Sequence, residues 1–183
     1  DELSPYIFDK EFYYTERQTK KNDFKIKIGD FNNQEVTNTL AFINSPLNLI
    51  DQAGLIKISY NNLVNRSYAV LAGLSNNSKF QNSDIYLSYK NLQDQWTQPE
   101  PLEEINTEYF ESYPAISPDG NTIVFASDRP NGLGGIDLYK TVKDAAGIWS
   151  EPVNLGNKIN TKGDDISPFI NFDNSLFFAS NGF

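Results

Sequence analysis

Carboxylates are the side chains of this sequence whose type and spacing could carry out chemistry. Asp84 and Asp137 recur 53 residues apart, in the matching segments 83–88 and 136–141. A recurring carboxylate could be a metal ligand or a catalytic acid, but an Asp at a strand start also commonly accepts hydrogen bonds from backbone N–H groups. Because a functional site is seldom repeated in every copy of a repeat, the recurrence favours the structural role.

Two further groups of carboxylates allow other chemistry. Asp164-Asp165 with the nearby Asp173 could bind calcium, although the segment lacks the alternating Asp or Asn ligands and the Gly of an EF-hand loop. A glycoside hydrolase needs a positioned pair of carboxylates, whereas the adjacent side chains of Glu103-Glu104 are expected to diverge. We therefore predict no catalytic residue, no metal and no cofactor, and a protein that is not an enzyme.

Two other motifs have a functional and a structural interpretation. Trp96 and Trp149 could be platforms for carbohydrate, but each is followed by a Pro three residues later at the same repeat position. That recurrence favours packing at the edge of a sheet. Residues 132–135 are rich in Gly but lack the Lys and the helix of a phosphate-binding loop.

The charge balance narrows the class of partner. The 183-residue chain has a formal net charge of −9 and contains neither His nor Cys. Nucleic acids need a basic face, so they are excluded, and the missing side chains are the commonest general base and the thiolate nucleophile. Asp128-Arg129 and the matching Glu16-Arg17 could form local ion pairs, which contribute little when exposed, or contact a protein partner.

The chain repeats itself with a period of about 50 residues, which is the range of propeller blades. Residues 96–99 match 149–152, and residues 105–107 match 159–161. Together with weaker matches, these anchors predict four copies in a single domain of residues 1–183. The copies lie at 1–52, 53–108, 109–162 and 163–183, and the last is incomplete.

Each copy has the pattern of β-strands joined by tight turns. Phe24, Ile26 and Ile28 alternate with lysines, which is the period of a half-buried strand. Residues 123–126 are an unbroken apolar run, as in a strand that is covered on both faces, and Pro118-Asp119-Gly120-Asn121 has hairpin turn chemistry. Residues 34–44 are less clear and could contain a short helical turn. About four strands in each copy predict an all-β propeller of four-stranded antiparallel blades, with about three and a half blades present.

The repeat resembles the WD40-like repeats called PD40, which occur in the propellers of TolB-like proteins. The resemblance is carried by three motifs in the third copy: Pro114-x-Ile116-Ser117-Pro118-Asp119-Gly120, Phe125-Ala126-Ser127-x-Arg129 and Gly134-Gly135-Ile136-Asp137-Leu138-Tyr139. The segments 149–156 and 159–161 resemble a subgroup found in bacterial outer-membrane proteins that also carry an OmpA-like domain, some of them associated with type IX secretion. The resemblance implies a periplasmic or outer-membrane-associated propeller.

We expect a non-catalytic scaffold that binds a protein in the cell envelope. The alternatives are a carbohydrate-binding propeller and the accessory propeller of a hydrolase, and the sequence singles out no binding residue. Propellers have about four to eight blades, so three and a half copies should not close. We therefore expect the chain to continue before Asp1, after Phe183 or both, and an apolar surface around Phe177 and Phe178 to promote association.

Overall fold

The protein consists almost entirely of short antiparallel strands. The structure is a computed structural model that describes residues 2–8, 11–18, 23–32, 35–41, 45–48, 55–61, 66–74 and 82–183. It contains one 3-10 helix, Pro46–Asn48, in this described part. The strands are β1 Glu2–Phe8, β2 Glu11–Gln18, β3 Asp23–Asn32, β4 Glu35–Ala41, β5 Leu55–Asn61, β6 Arg66–Leu74, β7 Ser83–Tyr89, β8 Glu100–Pro101, β9 Glu111–Ile116, β10 Thr122–Ser127, β11 Asp137–Val142, β12 Val153–Asn154, β13 Asp165–Ile170 and β14 Leu176–Ser180.

The strands form sheets in which each strand pairs with the next one along the chain. Sheet 1 contains β1–β4, sheet 2 contains β5–β8, sheet 3 contains β9–β12 and sheet 4 contains β13 and β14. Each sheet lies within one of the four ranges in which the sequence places a repeat. Successive sheets contact each other mainly through their early strands, because β5, β9 and β13 all pack against the sheet before them. The protein is thus part of a β-propeller.

The second strand of a sheet shows why the sheets must stack. In β10, Ile123 and Phe125 belong to the apolar cluster between sheets 2 and 3, whereas Val124 and Ala126 belong to the cluster between sheets 3 and 4. All four side chains are buried, which confirms that this run is covered on both faces. An equivalent cluster between sheets 1 and 2 includes Ile26 of β3.

The first strand of three sheets carries an irregularity at a proline. The pairing register shifts in β1 around Ser4-Pro5, in β9 beside Pro114 and in β13 beside Pro168. Proline has no N–H to donate to a β-ladder, so a bulge accommodates it. The residue directly before each of the two later prolines has a positive φ, which is 50° at Tyr113 and 55° at Ser167.

The segment that could contain a helical turn is a strand wherever the structure describes it. Residues 35–41 form strand β4 rather than a helical turn, and residues 34 and 42–44 lie outside the described residues. Strand β4 pairs with β3 through Asn32↔Glu35 and Ile28↔Leu40, so pairing with β3 decides the conformation of this polar segment. None of the helical residues that the structure describes form a helix long and apolar enough to cross a membrane.

The two tryptophans pack between sheets. Trp96 and Trp149 are only 8% and 6% exposed and belong to the clusters before and after sheet 2, respectively. Each forms a β-bridge with a lysine, whose ammonium lies over the indole ring: 5.7 Å from Lys90 to Trp96 and 4.6 Å from Lys143 to Trp149. The packing interpretation is therefore confirmed, and neither ring is available as a carbohydrate platform.

We predict that Trp149→Ala lowers the free energy of unfolding by about 3–5 kcal/mol, because it removes a large side chain from a packed cluster. The neighbouring Ile148 is 60% exposed, so Ile148→Ala should change it by no more than about 0.5 kcal/mol. Urea unfolding monitored by circular dichroism measures both. A loss below about 1 kcal/mol for Trp149→Ala would contradict the packing role.

Candidate functional site

The Asp137 carboxylate binds the loop that precedes its strand. Its oxygens accept hydrogen bonds from the backbone N–H groups of Leu133 at 2.6 Å and Gly134 at 3.0 Å, and from Nδ2 of Asn154 at 2.8 Å. Two backbone N–H groups of the Gly-rich loop therefore donate hydrogen bonds to a carboxylate of the protein itself. These hydrogen bonds confirm the structural role predicted for Asp137. The equivalent Asp84 is also buried, and its structural role stays a prediction.

A buried carboxylate between sheets 2 and 3 was not singled out by the sequence. Glu111, which is fully buried, accepts hydrogen bonds from the N–H of Thr107 at 2.9 Å, the hydroxyl of Thr107 at 2.7 Å and the hydroxyl of Ser127 at 3.0 Å. Nη2 of Arg129 lies 3.0 Å from Oε1 of Glu111 and also donates to the carbonyl of Ile105. Burial raises the pKa of Glu111, although the hydrogen bonds and the Arg129 charge oppose this shift.

The cation of this cluster also lies over aromatic rings. The Arg129 guanidinium is 5.2 Å from the ring centroid of Phe125 and 4.8 Å from that of Tyr139. The predicted local ion pair with Asp128 is therefore wrong, since Arg129 pairs with Glu111 and Asp128 accepts a hydrogen bond from the N–H of Phe110. The matching Glu16-Arg17 lies inside β2, and its side chains are outside the described residues.

The same cluster recurs between sheets 3 and 4 without its cation. Asp165 accepts hydrogen bonds from the N–H and the hydroxyl of Thr161, which also contacts the hydroxyl of Ser180. The residue equivalent to Arg129 is Gly182, 53 residues later. The signal available in the sequence was a Thr followed four residues later by an acid, at 107/111 and again at 161/165.

The Ile-Asn-Thr motifs connect neighbouring sheets. The Asn106 amide receives a hydrogen bond from the N–H of Ile85 and donates one to its carbonyl, both at 2.8 Å. Asn160 does the same with Leu138, at 2.9 and 3.0 Å. Since the following Thr binds the acid on the next sheet, each motif joins the third strand of one sheet to the first strand of its successor.

The proposed calcium ligands have separate partners. Asp164 accepts hydrogen bonds from the N–H of Ile136 and from the amide of Asn181, whereas Asp165 binds Thr161. Asp173 accepts a hydrogen bond from the N–H of Ser175 within a tight turn. Among the described residues there is no group of three or more acidic side chains arranged to hold a metal ion. Both members of the Glu103-Glu104 pair are exposed.

Close backbone contact also joins the loops of sheets 3 and 4. The N–H of Gly135 donates to the carbonyl of Gly163 at 3.2 Å. A Cβ placed on Gly134 would lie only 1.9 Å from that carbonyl oxygen. Glycine is therefore required at residue 134 for packing between sheets, which explains part of the Gly-rich segment without a phosphate ligand.

Sheet 4 presents an apolar face that no described residue covers. Phe169 and Phe177 are 37% and 59% exposed, and their ring centroids are 6.4 Å apart. The equivalent residues of sheet 3, Ala115 and Val124, are 1% and 4% exposed, with Val124 in the cluster that sheet 4 covers. The expected exposure of Phe177 is thus confirmed, whereas Phe178 packs in the opposite direction, against sheet 3.

The comparisons with known proteins identify the fold. No family model matches this chain, and no curated protein matches it. Three similar solved structures are an alpha-L-arabinofuranosidase from Lactobacillus brevis (TM-score 0.61, 13% identity, covering 98% of this chain and 64% of that one), the catalytic domain of the GH62 alpha-L-arabinofuranosidase of Coprinopsis cinerea (0.54, 14%, 97% and 62%) and TolB from Acinetobacter baumannii (0.51, 15%, 97% and 37%). The chain thus spans less than two thirds of each of these proteins, and the similarity concerns the fold alone.

We predict that Glu111→Gln changes the pH dependence of stability. A carboxyl whose pKa is raised by folding contributes stability that is complete below its unfolded pKa, about 4.3 for Glu, and is lost as pH rises through the folded pKa. Wild type should therefore be more stable than Glu111→Gln by a margin that shrinks as pH rises from about 4. Urea unfolding at pH 4 to 8 measures this margin.

Asp119 gives the opposite sign and serves as the control. Partial burial alone would raise its pKa, but hydrogen bonds from the hydroxyl of Ser117 and from Asn121 hold the pKa below its ordinary value. Its contribution is present above about pH 3.9, the unfolded value for Asp, and is lost as pH falls through the folded pKa. The margin of wild type over Asp119→Asn should therefore shrink towards acid, and parallel margins for the two variants would contradict both assignments.

We also predict that calcium does not stabilise the fold, because the Asp164, Asp165 and Asp173 carboxylates each bind a different protein group. The melting temperature should be the same in about 1 mM EDTA and in about 1 mM calcium. A calcium site with the micromolar affinity of a sensor protein would be saturated at this calcium concentration. A rise with calcium that Asp164→Asn abolishes would contradict this prediction.

Proposed function

We propose that this chain is a non-catalytic β-propeller module that binds protein in a bacterial cell envelope and acts there as a scaffold. The observation that carries the proposal is the pair of polar joints at Asn106 and Asn160, which hold successive sheets in fixed positions. A rigid framework of this kind presents its connecting loops in a fixed arrangement, and loops carry binding residues more often than the elements that they join.

The positions of the carboxylates support a binding rather than a catalytic role. Glu111, Asp137 and Asp165 are the recurrent buried acids of sheets 3 and 4, and each is already bound by backbone N–H groups. A general acid or nucleophile must instead reach a substrate. These three side chains therefore act as parts of the framework.

The envelope location is supported by the sequence more than by the fold. The repeat resembles the PD40 repeats of TolB-like and outer-membrane propellers, including those associated with type IX secretion. TolB is also among the similar solved structures, at 15% identity. The periplasm or the periplasmic side of the outer membrane is therefore the proposed location.

We predict that the chain self-associates through the open face and that Phe169→Ser with Phe177→Ser abolishes this association. Light scattering coupled to gel filtration should give a mass above 20.7 kDa for wild type and the monomer mass for the double variant. Phe172→Ser is the matched control, since Phe172 is 83% exposed but lies in the turn between β13 and β14. A wild-type monomer of 20.7 kDa with a cooperative melt would contradict the expected self-association.

A hydrolase-related propeller is the second candidate, favoured by the two arabinofuranosidases among the similar structures. It predicts release of p-nitrophenol from p-nitrophenyl α-L-arabinofuranoside. The proposed scaffold predicts no release above the uncatalysed rate. Activity that survives further purification and is lost on substituting one exposed carboxylate would replace the scaffold proposal.

A further inference from the structure

We infer that Asn131 is a site of spontaneous deamidation, at which the backbone nitrogen of Gly132 attacks the side-chain amide, and that the resulting isoaspartate weakens the loop between β10 and β11. The sequence contains two Asn-Gly pairs, at residues 131–132 and 181–182. The structure leaves the first pair free to react and holds the second pair in hydrogen bonds. This covalent modification does not depend on the proposed function.

The reaction at an Asn-Gly pair needs water and no enzyme. The backbone nitrogen of the glycine forms a bond to Cγ of the asparagine, the bond from Cγ to the amide nitrogen breaks, and ammonia leaves with the proton of the attacking nitrogen. Water then opens the succinimide ring at either carbonyl, which gives aspartate or isoaspartate. Glycine favours ring closure because it has no side chain to obstruct the attack and leaves the backbone freer to rotate.

The fold requires both residues of the first pair. Asn131 has a φ of 69°, and Asn is among the non-glycine residues that adopt a positive φ most readily. Gly132 lies against Asp137, because a Cβ on Gly132 would be only 2.7 Å from Oδ2 of that carboxylate. A larger residue that would slow ring closure is therefore excluded at position 132 by packing.

The atoms that react at the first pair have no hydrogen bonds to break. Asn131 and Gly132 are both exposed and lie between the end of β10 and the start of β11. Within the described ranges of the chain, neither the Asn131 side chain nor the Gly132 N–H takes part in a hydrogen bond. The amide can therefore rotate towards the nitrogen of Gly132 without losing a contact of this kind to the described protein.

The second pair is also exposed, but its reacting atoms are held. Oδ1 of Asn181 accepts a hydrogen bond from the N–H of Asp164 at 2.7 Å, and Nδ2 of Asn181 donates one to the Asp164 carboxylate at 3.2 Å. The N–H of Gly182, which is the attacking group, donates to the hydroxyl of Ser180 at 3.1 Å. Ring closure must break these hydrogen bonds, and each one adds to the barrier. Since both pairs are exposed, the hydrogen bonds predict the difference in rate.

Isoaspartate at residue 131 would disturb a loop that connects two sheets. Its main chain runs through Cβ and Cγ, so the backbone before Gly132 becomes longer by one carbon. The N–H groups of residues 133–134 bind the Asp137 carboxylate, and that of Gly135 donates to the carbonyl of Gly163 in the loop before β13. A displacement of these donors would weaken both contacts, so we expect the modified protein to be less stable.

The test compares the two Asn-Gly pairs in the folded and in the unfolded protein. Purified protein is incubated at neutral pH with and without guanidinium chloride, and peptide mass spectrometry follows the conversion of each side-chain amide to a carboxyl group. In the folded protein Asn131 should react about tenfold faster than Asn181 or more, because hydrogen bonds oppose ring closure at residue 181. In guanidinium chloride the two rates should agree within about threefold, because those hydrogen bonds are lost.

Two variants connect the rates to the contacts, and a melt verifies that each variant folds. Ser180→Ala removes the acceptor of the Gly182 N–H, so it should increase the rate at Asn181 severalfold and leave the rate at Asn131 unchanged. Asn131→Gly cannot deamidate at this position and retains a residue that adopts a positive φ without strain. Incubation should lower the melting temperature of wild type and leave that of Asn131→Gly unchanged.

Equal rates at Asn131 and Asn181 in the folded protein would overturn the inference. A rate ratio that guanidinium chloride leaves unchanged would also overturn it, because the local sequence rather than the fold would then set the difference. Fully deamidated wild type with an unchanged melting temperature would contradict the effect on the loop. None of these results bears on protein binding, so the inference and the proposed function fail separately.

Discussion

Sheets 2 and 3 of this protein each depend on a neighbour at both of their faces. Strand β10 makes the reason visible, because its consecutive apolar residues alternate between two clusters on opposite sides of the sheet. A sheet of four short strands cannot cover both faces by itself, so radial stacking provides the cover. The bulges, the polar joints and the tryptophans can all be understood as means of maintaining this stacking.

The joints between sheets are polar although the interfaces are apolar. Backbone groups at the ends of short strands need partners when they are buried, and the Asn106 and Asn160 amides supply both a donor and an acceptor for one residue of the preceding sheet. The acids Glu111 and Asp165 then bind the Thr that follows each Asn. The apolar clusters therefore set the spacing of the sheets, and the amides and acids set the position of each sheet relative to the next.

The two acid clusters differ in a way that has an energetic consequence. Glu111 has the Arg129 cation beside it, so removal of either partner would leave a buried charge, which is strongly destabilising. In the part of the chain that the structure describes, the fully buried Asp165 carboxylate accepts hydrogen bonds from Thr161 and has no cation beside it. The same repeat position can therefore hold a longer acid with a cation, or a shorter acid without one.

Much of the fold follows from the sequence, because the strands, turns and repeat anchors are local patterns. The period-two residues of β3, the apolar run of β10 and the turn at Gly120, with φ of 71°, are all of this kind. The interaction partners of a side chain are harder to predict from the sequence than the strands and turns. Arg129 pairs with Glu111, 18 residues earlier, rather than with the adjacent Asp128, because the bend of the chain between strands brings the distant acid closer.

The same distinction applies to the conformation of residues 35–41 and to the proline bulges. Strand β4 has no strong strand pattern, and its conformation comes from pairing with β3, a tertiary effect that propensity does not contain. The bulges could have been recognised from the recurrence of a proline in the first strand of three copies, since a proline within a strand implies an edge or a bulge.

The orientations of two neighbouring phenylalanines in sheet 4 show what the sequence can and cannot predict about the candidate site. Exposure of Phe177 was predictable from the incomplete fourth copy, but the opposite orientation of Phe178 depends on the alternation of side chains about a strand whose register only the structure gives. This alternation separates two interactions that the sequence had merged. Phe177 lies on the outward face of sheet 4, where it is exposed, whereas Phe178 packs against sheet 3.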